Sequence, residues 1–299
     1  MRDKKFILFF VLFAGLIFSG PVYAKIGILT TQQVGSMLQT QKNIIVIDTR
    51  NKQNYLAGHL PNAVNLTENQ IIAPKEGELG LMPYNQQLEK IFSEYGLKSN
   101  AAYIVYSGED YNNPANFIAK AAWVISALYW SGIRDIYYMD GGFEKWKSEK
   151  FPVVKGNYSL PKSHFIIKFN PSNILAQKGF LLWSINNENT MQIIDSRPRK
   201  EYLEGHIKGA KWLYAGDFLE KVSNYWVIRP KSVIENLFTK EDIDINKPTV
   251  SYCQSGHLSS VIWLIATSIF DKQSFWSFCG TFANLQKQNK IPINIGPIC

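Results

Sequence analysis

The chain has 299 residues, of which 46% are hydrophobic and 19% are charged, and its formal net charge is +8. This length suits two domains of ordinary size, and this hydrophobic content excludes extensive disorder. The basic residues are scattered without a block of five or six, which argues against a nucleic-acid-binding tail. A small anionic substrate fits this charge better, and a solvated basic surface without a specific partner is the alternative.

The first predicted element is a signal peptide over residues 1–24. Three basic residues within the first five positions precede an apolar run at residues 6–18, and small residues before Lys25 suit a signal peptidase. We expect cleavage after Ala24 and a mature protein that is periplasmic or secreted. We expect no stable membrane anchor after cleavage, because the run is shorter than a transmembrane helix, and an uncleaved anchor is the alternative.

The first half of the chain predicts an α/β domain. Short apolar segments at residues 44–47, 103–106 and 136–139 each have the length of a buried strand. Pro114 precedes a longer, alanine-rich segment at residues 115–130, which favours a helix. Alternating strands and helices predict a mainly parallel sheet with helices on both faces.

The second half predicts the same order of elements. A linker at residues 156–170, interrupted by glycine and proline, separates an N-terminal domain at residues 25–155 from a C-terminal domain at residues 171–299. The predicted elements of the C-terminal domain are a helix near residues 172–182, strands at 192–194, 249–252 and 275–278, and a long helix at 255–270.

One segment of the chain occurs twice. Residues 48–63 align without gaps with residues 195–210, and seven positions are identical, including an aspartate, an arginine and a histidine. Because both halves contain these residues, we interpret them as stabilising the fold rather than as catalytic groups. They are Asp48, Arg50 and His59 in the first copy and Asp195, Arg197 and His206 in the second.

Cys253 lies where the predicted strand at residues 249–252 turns into the long helix, and Ser107 holds the equivalent position in the first half. Backbone N–H groups of the turn and the positive end of the helix favour negative charge, so we expect the thiol to have a pKa below its ordinary value. A buried structural cysteine is the alternative, but the small polar residues that follow suit a backbone cradle for an anion better.

The predicted substrate-binding loop follows the cysteine. His257 is its only ionisable side chain, so His257 is either the local cation or a residue that faces solvent. The loop consists of Gln254, Ser255, Gly256, His257, Leu258 and Ser259.

These features together resemble the tandem-domain rhodaneses, the thiosulfate and 3-mercaptopyruvate sulfurtransferases. The resemblance covers nearly everything after residue 25 and rests on the repeated segments, the cysteine loop and the D-G-G-F-E-K-W sequence at residues 140–146. It implies two rhodanese-like domains, the first catalytically silent because Ser107 cannot form a persulfide. It also implies a cofactor-free, ping-pong transfer in which Cys253 takes a sulfane sulfur from a small anionic donor and passes it to a thiol or cyanide.

Two positions depart from the family's pattern. Leu258 stands where arginine or threonine is common, and residues 278–282 replace the D-G-G segment in the second copy. A degenerate rhodanese-like protein that carries sulfur or binds a partner is therefore an alternative. A cysteine phosphatase is disfavoured, because Ser259 stands where that class has its phosphate-clamping arginine.

Three cysteines follow the predicted signal peptide: Cys253, Cys279 and Cys299. If Cys253 stays free in an oxidising compartment, Cys279 and Cys299 are the pair available for a disulfide. The spacing of the cysteines and of the four histidines does not resemble a metal site, so we expect no metal.

Overall fold

The architecture is that of a computed structural model, which describes residues 25–73, 82–167, 175–176, 178–278, 282 and 293–294. The predicted signal peptide and the cysteines at positions 279 and 299 lie outside these residues, so cleavage and the disulfide stay predictions. None of the helices in the described ranges is long and apolar enough to cross a bilayer.

The first half forms a five-stranded, fully parallel sheet in the order β1-β5-β4-β2-β3. Three predicted strands are confirmed as β2, β4 and β5, each one residue longer than predicted, and the predicted long helix is confirmed as α4. The elements are β1 (Lys25–Leu29), α1 (Thr31–Thr40), β2 (Ile44–Asp48), α2 (Lys52–Ala57), β3 (Ala63–Asn65), α3 (Asn85–Glu94), β4 (Ala102–Tyr106), α4 (Pro114–Trp130), β5 (Asp135–Met139) and α5 (Gly142–Ser148).

The second half repeats this sheet, in the parallel order β6-β13-β12-β7-β9. Two further pairs, β10 with β11 and β8 with β14, are antiparallel. The elements are β6 (Leu175–Ala176), α6 (Lys178–Ile185), β7 (Gln192–Asp195), α7 (Arg199–Glu204), β8 (His206–Ile207), β9 (Lys211–Trp212), β10 (Leu219–Val222), β11 (Tyr225–Ile228), α8 (Lys231–Lys240), β12 (Thr249–Tyr252), α9 (His257–Phe270), β13 (Phe275–Phe278) and β14 (Ile293–Asn294).

Two predicted helices differ from the structure at their starts. The helix predicted near residues 172–182 is wrong at Leu175–Ala176, which pair with β13 as the edge strand equivalent to β1. The helix predicted from residue 255 begins at His257, because the residues before it form the turn that follows β12.

Helices cover both faces of the first sheet, as predicted. Alternate residues of a strand face opposite sides. In β2, Ile45 and Ile47 belong to the same buried cluster as Phe92 of α3 and much of α4, whereas Val46 packs with Trp146 of α5.

The two domains share a core that is built from the helices following the equivalent residues Ser107 and Cys253. Helix α4 packs against α9. Tyr129 of α4 and Trp263 of α9 lie with their ring centroids 5.4 Å apart, and both belong to one buried cluster. The loop that follows Cys253 is therefore held beside the other domain.

The repeated aspartate and arginine form a buried ion pair. In the C-terminal copy, Asp195 Oδ2 lies 2.6 Å from Arg197 Nη2, which also donates to the carbonyl of Gly205 at 2.7 Å. The hydroxyl of Tyr252 donates to Asp195 at 2.7 Å and so fixes the end of β12, one residue before the cysteine. The structural interpretation is confirmed, and the N-terminal copy makes the same contacts with Asp48, Arg50, Gly58 and Tyr106.

The repeated histidines are packed in the same way in both copies. His59 stacks on Tyr55 with ring centroids 4.1 Å apart, and His206 stacks on Tyr202 at 3.9 Å. Both histidine side chains are buried. Both histidines are therefore packed core side chains, which agrees with the structural interpretation.

The described part of the predicted linker, residues 156–167, lies along the N-terminal domain. The backbone N–H of Tyr158 donates to the hydroxyl of Tyr55 at 3.0 Å, and that of Ile167 donates to Glu89 Oε1 at 2.8 Å. This segment is therefore held by the first domain before the chain reaches the second sheet.

Candidate active site

Cys253 is the residue that directly follows β12, at the carboxyl edge of the parallel sheet. Open α/β sheets bind their ligands at this edge. The side chain of Cys253 is only 1% exposed. Gly256, with φ +88° in the left-handed region that favours glycine, turns the chain so that α9 begins at the next residue.

Backbone amides of the loop surround the Cys253 sulfur. The N–H of Gly256 donates to Sγ at 3.1 Å. The amides of Ser259, Ser255 and Leu258 also lower the pKa of the thiol. The predicted loop therefore forms a cradle of N–H groups around the sulfur, built from main-chain atoms and not from charged side chains.

Burial nevertheless raises the pKa of the Cys253 thiol above its ordinary value. Removing the sulfur from water penalises the thiolate more than the four amides stabilise it. The predicted lowering of the pKa is therefore wrong. The prediction rested on the amides and the helix end, which are local in the sequence. The burial of the sulfur was not predicted, because it arises from packing between distant parts of the chain.

We expect Cys253 to be alkylated slowly at neutral pH and steadily faster as the pH rises. Because its pKa is raised, its thiolate fraction at pH 7 lies below the few per cent of an ordinary cysteine. The measurement is the rate constant with iodoacetamide from about pH 6 to about pH 10, with glutathione as the reference thiol. A rate that levels off below about pH 8 contradicts this expectation, because it requires a lowered pKa.

His257 is packed on the other domain. Its ring stacks on Trp123 of α4, with centroids 4.7 Å apart and an angle of 26° between the planes, and its Nδ1 lies 3.1 Å from Ser255 Oγ. Burial lowers the pKa of His257 to about 4, so the side chain is neutral at neutral pH. The prediction of a cation at this position is wrong for that reason.

Trp123 is a residue of the site that the sequence reasoning missed. It is fully buried, and its Nε1 donates to the carbonyl of Ile71 at 2.8 Å. A Cβ on Gly256 would lie 2.9 Å from a ring carbon of Trp123, so the loop backbone packs directly against the indole. Its place in an apolar helix predicts a core residue, and only the packing of α4 on α9 brings it to the loop.

The other predicted loop residues differ in their surroundings. Ser259 is buried, and its hydroxyl donates to the carbonyl of Gly256 at 2.8 Å, which fixes the turn. Gln254 is exposed, and Leu258 is half-buried against the core shared by the domains. In the described ranges of the chain, no group of three His, Cys, Asp or Glu side chains could hold a metal ion.

Comparison with known proteins identifies a domain family that matches both halves of the chain. The sequence profile described as "Rhodanese-like domain" matches residues 30–149 and 181–280. The thiosulfate sulfurtransferase of Azotobacter vinelandii is 26% identical over 243 residues, which cover 76% of this chain and 82% of that protein. The 3-mercaptopyruvate sulfurtransferase of Escherichia coli K12 is 24% identical over 252 residues, which cover 81% and 85%.

A solved structure has the same fold. The crystal structure of SseA from Escherichia coli superposes with a TM-score of 0.73 at 20% identity, and covers 85% of this chain and 98% of SseA. Each of the two segments matched by the profile includes the central strands of one parallel sheet. The chain belongs to the rhodanese-like domain family.

Proposed function

We propose that this sulfurtransferase moves a sulfur atom, either the sulfane sulfur of thiosulfate or the thiol sulfur of 3-mercaptopyruvate, to a thiol or cyanide acceptor through a persulfide on Cys253. The observation that carries the proposal is the cradle, in which the amide of Gly256 lies 3.1 Å from Sγ. Within the described residues, Cys253 is a free cysteine. The substrate class comes from the names of the relatives.

In the first half-reaction, the Cys253 thiol loses its proton and the thiolate attacks the outer sulfur of thiosulfate. A new S–S bond forms as the bond to the inner sulfur breaks, and sulfite leaves with the electron pair. In the second, the acceptor attacks the outer sulfur of the persulfide, and Cys253 leaves as a thiolate. Both steps balance with the donor, the acceptor and the Cys253 sulfur alone, so neither step needs a cofactor.

The loop stabilises the negative charge that moves between the sulfurs. His257 is neutral, so the stabilisation comes from the backbone amides and from the amino end of the 14-residue helix α9. Because Cys253 is buried, water does not compete with these amides, and each interaction is stronger than it is in bulk solvent.

The test is sulfur loading of the protein that lacks residues 1–24. After incubation with thiosulfate, intact-mass and peptide mass spectrometry should find one added sulfur atom on Cys253, and cyanide should remove it as thiocyanate. Sulfur on Cys279 or Cys299, or no added sulfur, contradicts the proposal.

A second candidate function is a rhodanese-like protein that carries sulfur or binds a partner without turnover. The apolar Leu258, half-buried where the family commonly has a polar residue, favours it. Steady-state thiocyanate formation separates the two functions, because a carrier releases at most one equivalent and an enzyme releases many.

Leu258→Arg should raise kcat/KM for thiosulfate by about ten- to a hundredfold. A guanidinium at this half-exposed position can donate hydrogen bonds to the dianion that each contribute about 1.5–3 kcal/mol, and ~1.4 kcal/mol is a factor of ten. Leu258→Met, which adds no charge, is the matched control and should leave kcat/KM unchanged. If the arginine variant is less efficient, Leu258 is a specificity residue for a neutral or apolar donor.

We also propose that the protein acts in the periplasm or outside the cell. The support is the basic start and the apolar run that precede Lys25. Amino-terminal sequencing of the protein recovered from its native compartment should begin at Lys25, and thiol titration there should find Cys279 and Cys299 bridged.

A further inference from the structure

The N-terminal domain has a loop equivalent to the Cys253 loop, and a carboxylate of the same domain lies in it. Ser107 follows β4 as Cys253 follows β12. A Cβ on Gly108 would lie 2.5 Å from Oε2 and 2.9 Å from Oε1 of Glu144. The Glu144 carboxyl group therefore lies against the backbone immediately after Ser107, at a point where only glycine leaves room for it.

Glu144 is in an unfavourable environment for an acidic side chain. It is 7% exposed, and within the described residues its Oε2 has no hydrogen-bond partner. Burial raises the pKa of the carboxyl group, and the backbone amides of Glu144 and Glu109 and the Arg50 guanidinium partly oppose that rise. A buried oxygen without a partner is uncommon and calls for an explanation.

The C-terminal domain has no acidic residue at the equivalent position. In each copy, the arginine of the buried ion pair lies over a phenylalanine ring. The Cζ atom of Arg50 lies 3.7 Å from the ring centroid of Phe143, and that of Arg197 lies 4.0 Å from the ring centroid of Phe282. These phenylalanines are therefore equivalent, and the next residue in the sequence is Glu144 in the first copy and Ala283 in the second. The acidic residue is found in the copy that lacks the cysteine.

An open cavity of about 510 Å³ is lined by Glu144. Three cationic side chains, Arg50, Lys147 and Lys155, line the same cavity together with Glu109. Arg50 is already paired with Asp48, so with Glu144 ionised the carboxylates of Glu109 and Glu144 balance the charges of Lys147 and Lys155. Without the Glu144 side chain, two lysine charges in the lining would face the single carboxylate of Glu109.

We propose that the Ser107 loop is a second site for a small oxyanion and that the carboxylate of Glu144 occupies it. One backbone amide of this loop, that of Glu109, faces the carboxylate, whereas four amides of the Cys253 loop face the sulfur. The side chain keeps a small dianion such as thiosulfate out of the N-terminal domain. This inference goes beyond sulfur transfer at Cys253, because it assigns a ligand to the domain that lacks the cysteine.

The binding test compares Cys253→Ser with Cys253→Ser/Glu144→Ala in calorimetric titrations with thiosulfate. We expect Cys253→Ser/Glu144→Ala to bind one equivalent of thiosulfate more than Cys253→Ser binds. This difference is expected whether or not the Cys253 loop itself binds thiosulfate in both proteins. Glu149→Ala in the same background removes the same charge from the end of α5 and should add no equivalent. An unchanged stoichiometry in folded Cys253→Ser/Glu144→Ala overturns the proposal, and Glu144→Ser replaces Glu144→Ala if the latter does not fold.

The chemical test introduces a thiol at position 107. In Ser107→Cys/Cys253→Ser, the carboxylate should block the donor. In Ser107→Cys/Cys253→Ser/Glu144→Ala, the introduced thiolate attacks the outer sulfur of thiosulfate and sulfite leaves with the electron pair, so at least tenfold more sulfur should be found there (about 1.4 kcal/mol). Equal loading of the two proteins, or none in either, overturns the proposal, and loading of Cys253 in the natural sequence tests the proposed function separately.

Discussion

Cys253→Ser should abolish sulfur transfer. A serine hydroxyl cannot form a persulfide, so we expect the rate of thiocyanate formation from thiosulfate and cyanide to fall by about a thousandfold or more. The change is nearly isosteric and the amides that surround the side chain stay in place, so the protein should remain folded. Residual turnover above a few per cent of the natural rate would show that another group carries the sulfur.

Ser107→Ala is the matched control, because Ser107 holds the equivalent position after β4. Its side chain is buried, so its removal can change stability by about 1 kcal/mol, but it carries no sulfur and turnover should stay within about twofold. A tenfold loss of turnover in folded protein would instead place Ser107 in the chemistry.

Local patterns predicted most of the fold. The apolar segments at β2, β4 and β12 have the length and bounding residues of buried parallel strands, and the repeat showed that the second sheet copies the first. The edge strand β6 could not be predicted, because its two residues have no period of their own and pair only after β13 is in place. The hairpin of β10 and β11 was not predicted either.

The sequence predicted which residues form the site, but it did not predict their pKa values. The position of Cys253 and the amide cradle follow from a strand, a turn and a helix that are adjacent in the chain. The pKa values do not. The burial that lowers the pKa of His257, for example, involves Trp123, which lies more than 100 positions earlier in the sequence. Burial that arises from packing between domains is a long-range property, and neither motif nor spacing reports it.

Trp123→Ala should lower the free energy of unfolding by about 3–5 kcal/mol, the usual effect of removing a large aromatic side chain from a core. Trp123 is fully buried between the domains and stacks on His257. Its loss lets water reach the imidazole, so the pKa of His257 should rise from about 4 towards the ordinary value of about 6.5. Urea denaturation measures the first effect, and NMR titration of the His257 ring protons measures the second.

Trp146→Ala separates these two effects. Trp146 is also fully buried, but it packs on Phe151 in the core between the first sheet and α5, with ring centroids 4.4 Å apart. Its removal should destabilise the protein by a similar amount and leave the pKa of His257 unchanged. A partly charged His257 in the loop of Cys253 also favours the thiolate, so Cys253 should react faster with iodoacetamide near pH 6 in Trp123→Ala and not in Trp146→Ala. If both variants leave His257 neutral and Cys253 slow, the loop itself, and not the tryptophan of the other domain, sets the electrostatics of the site.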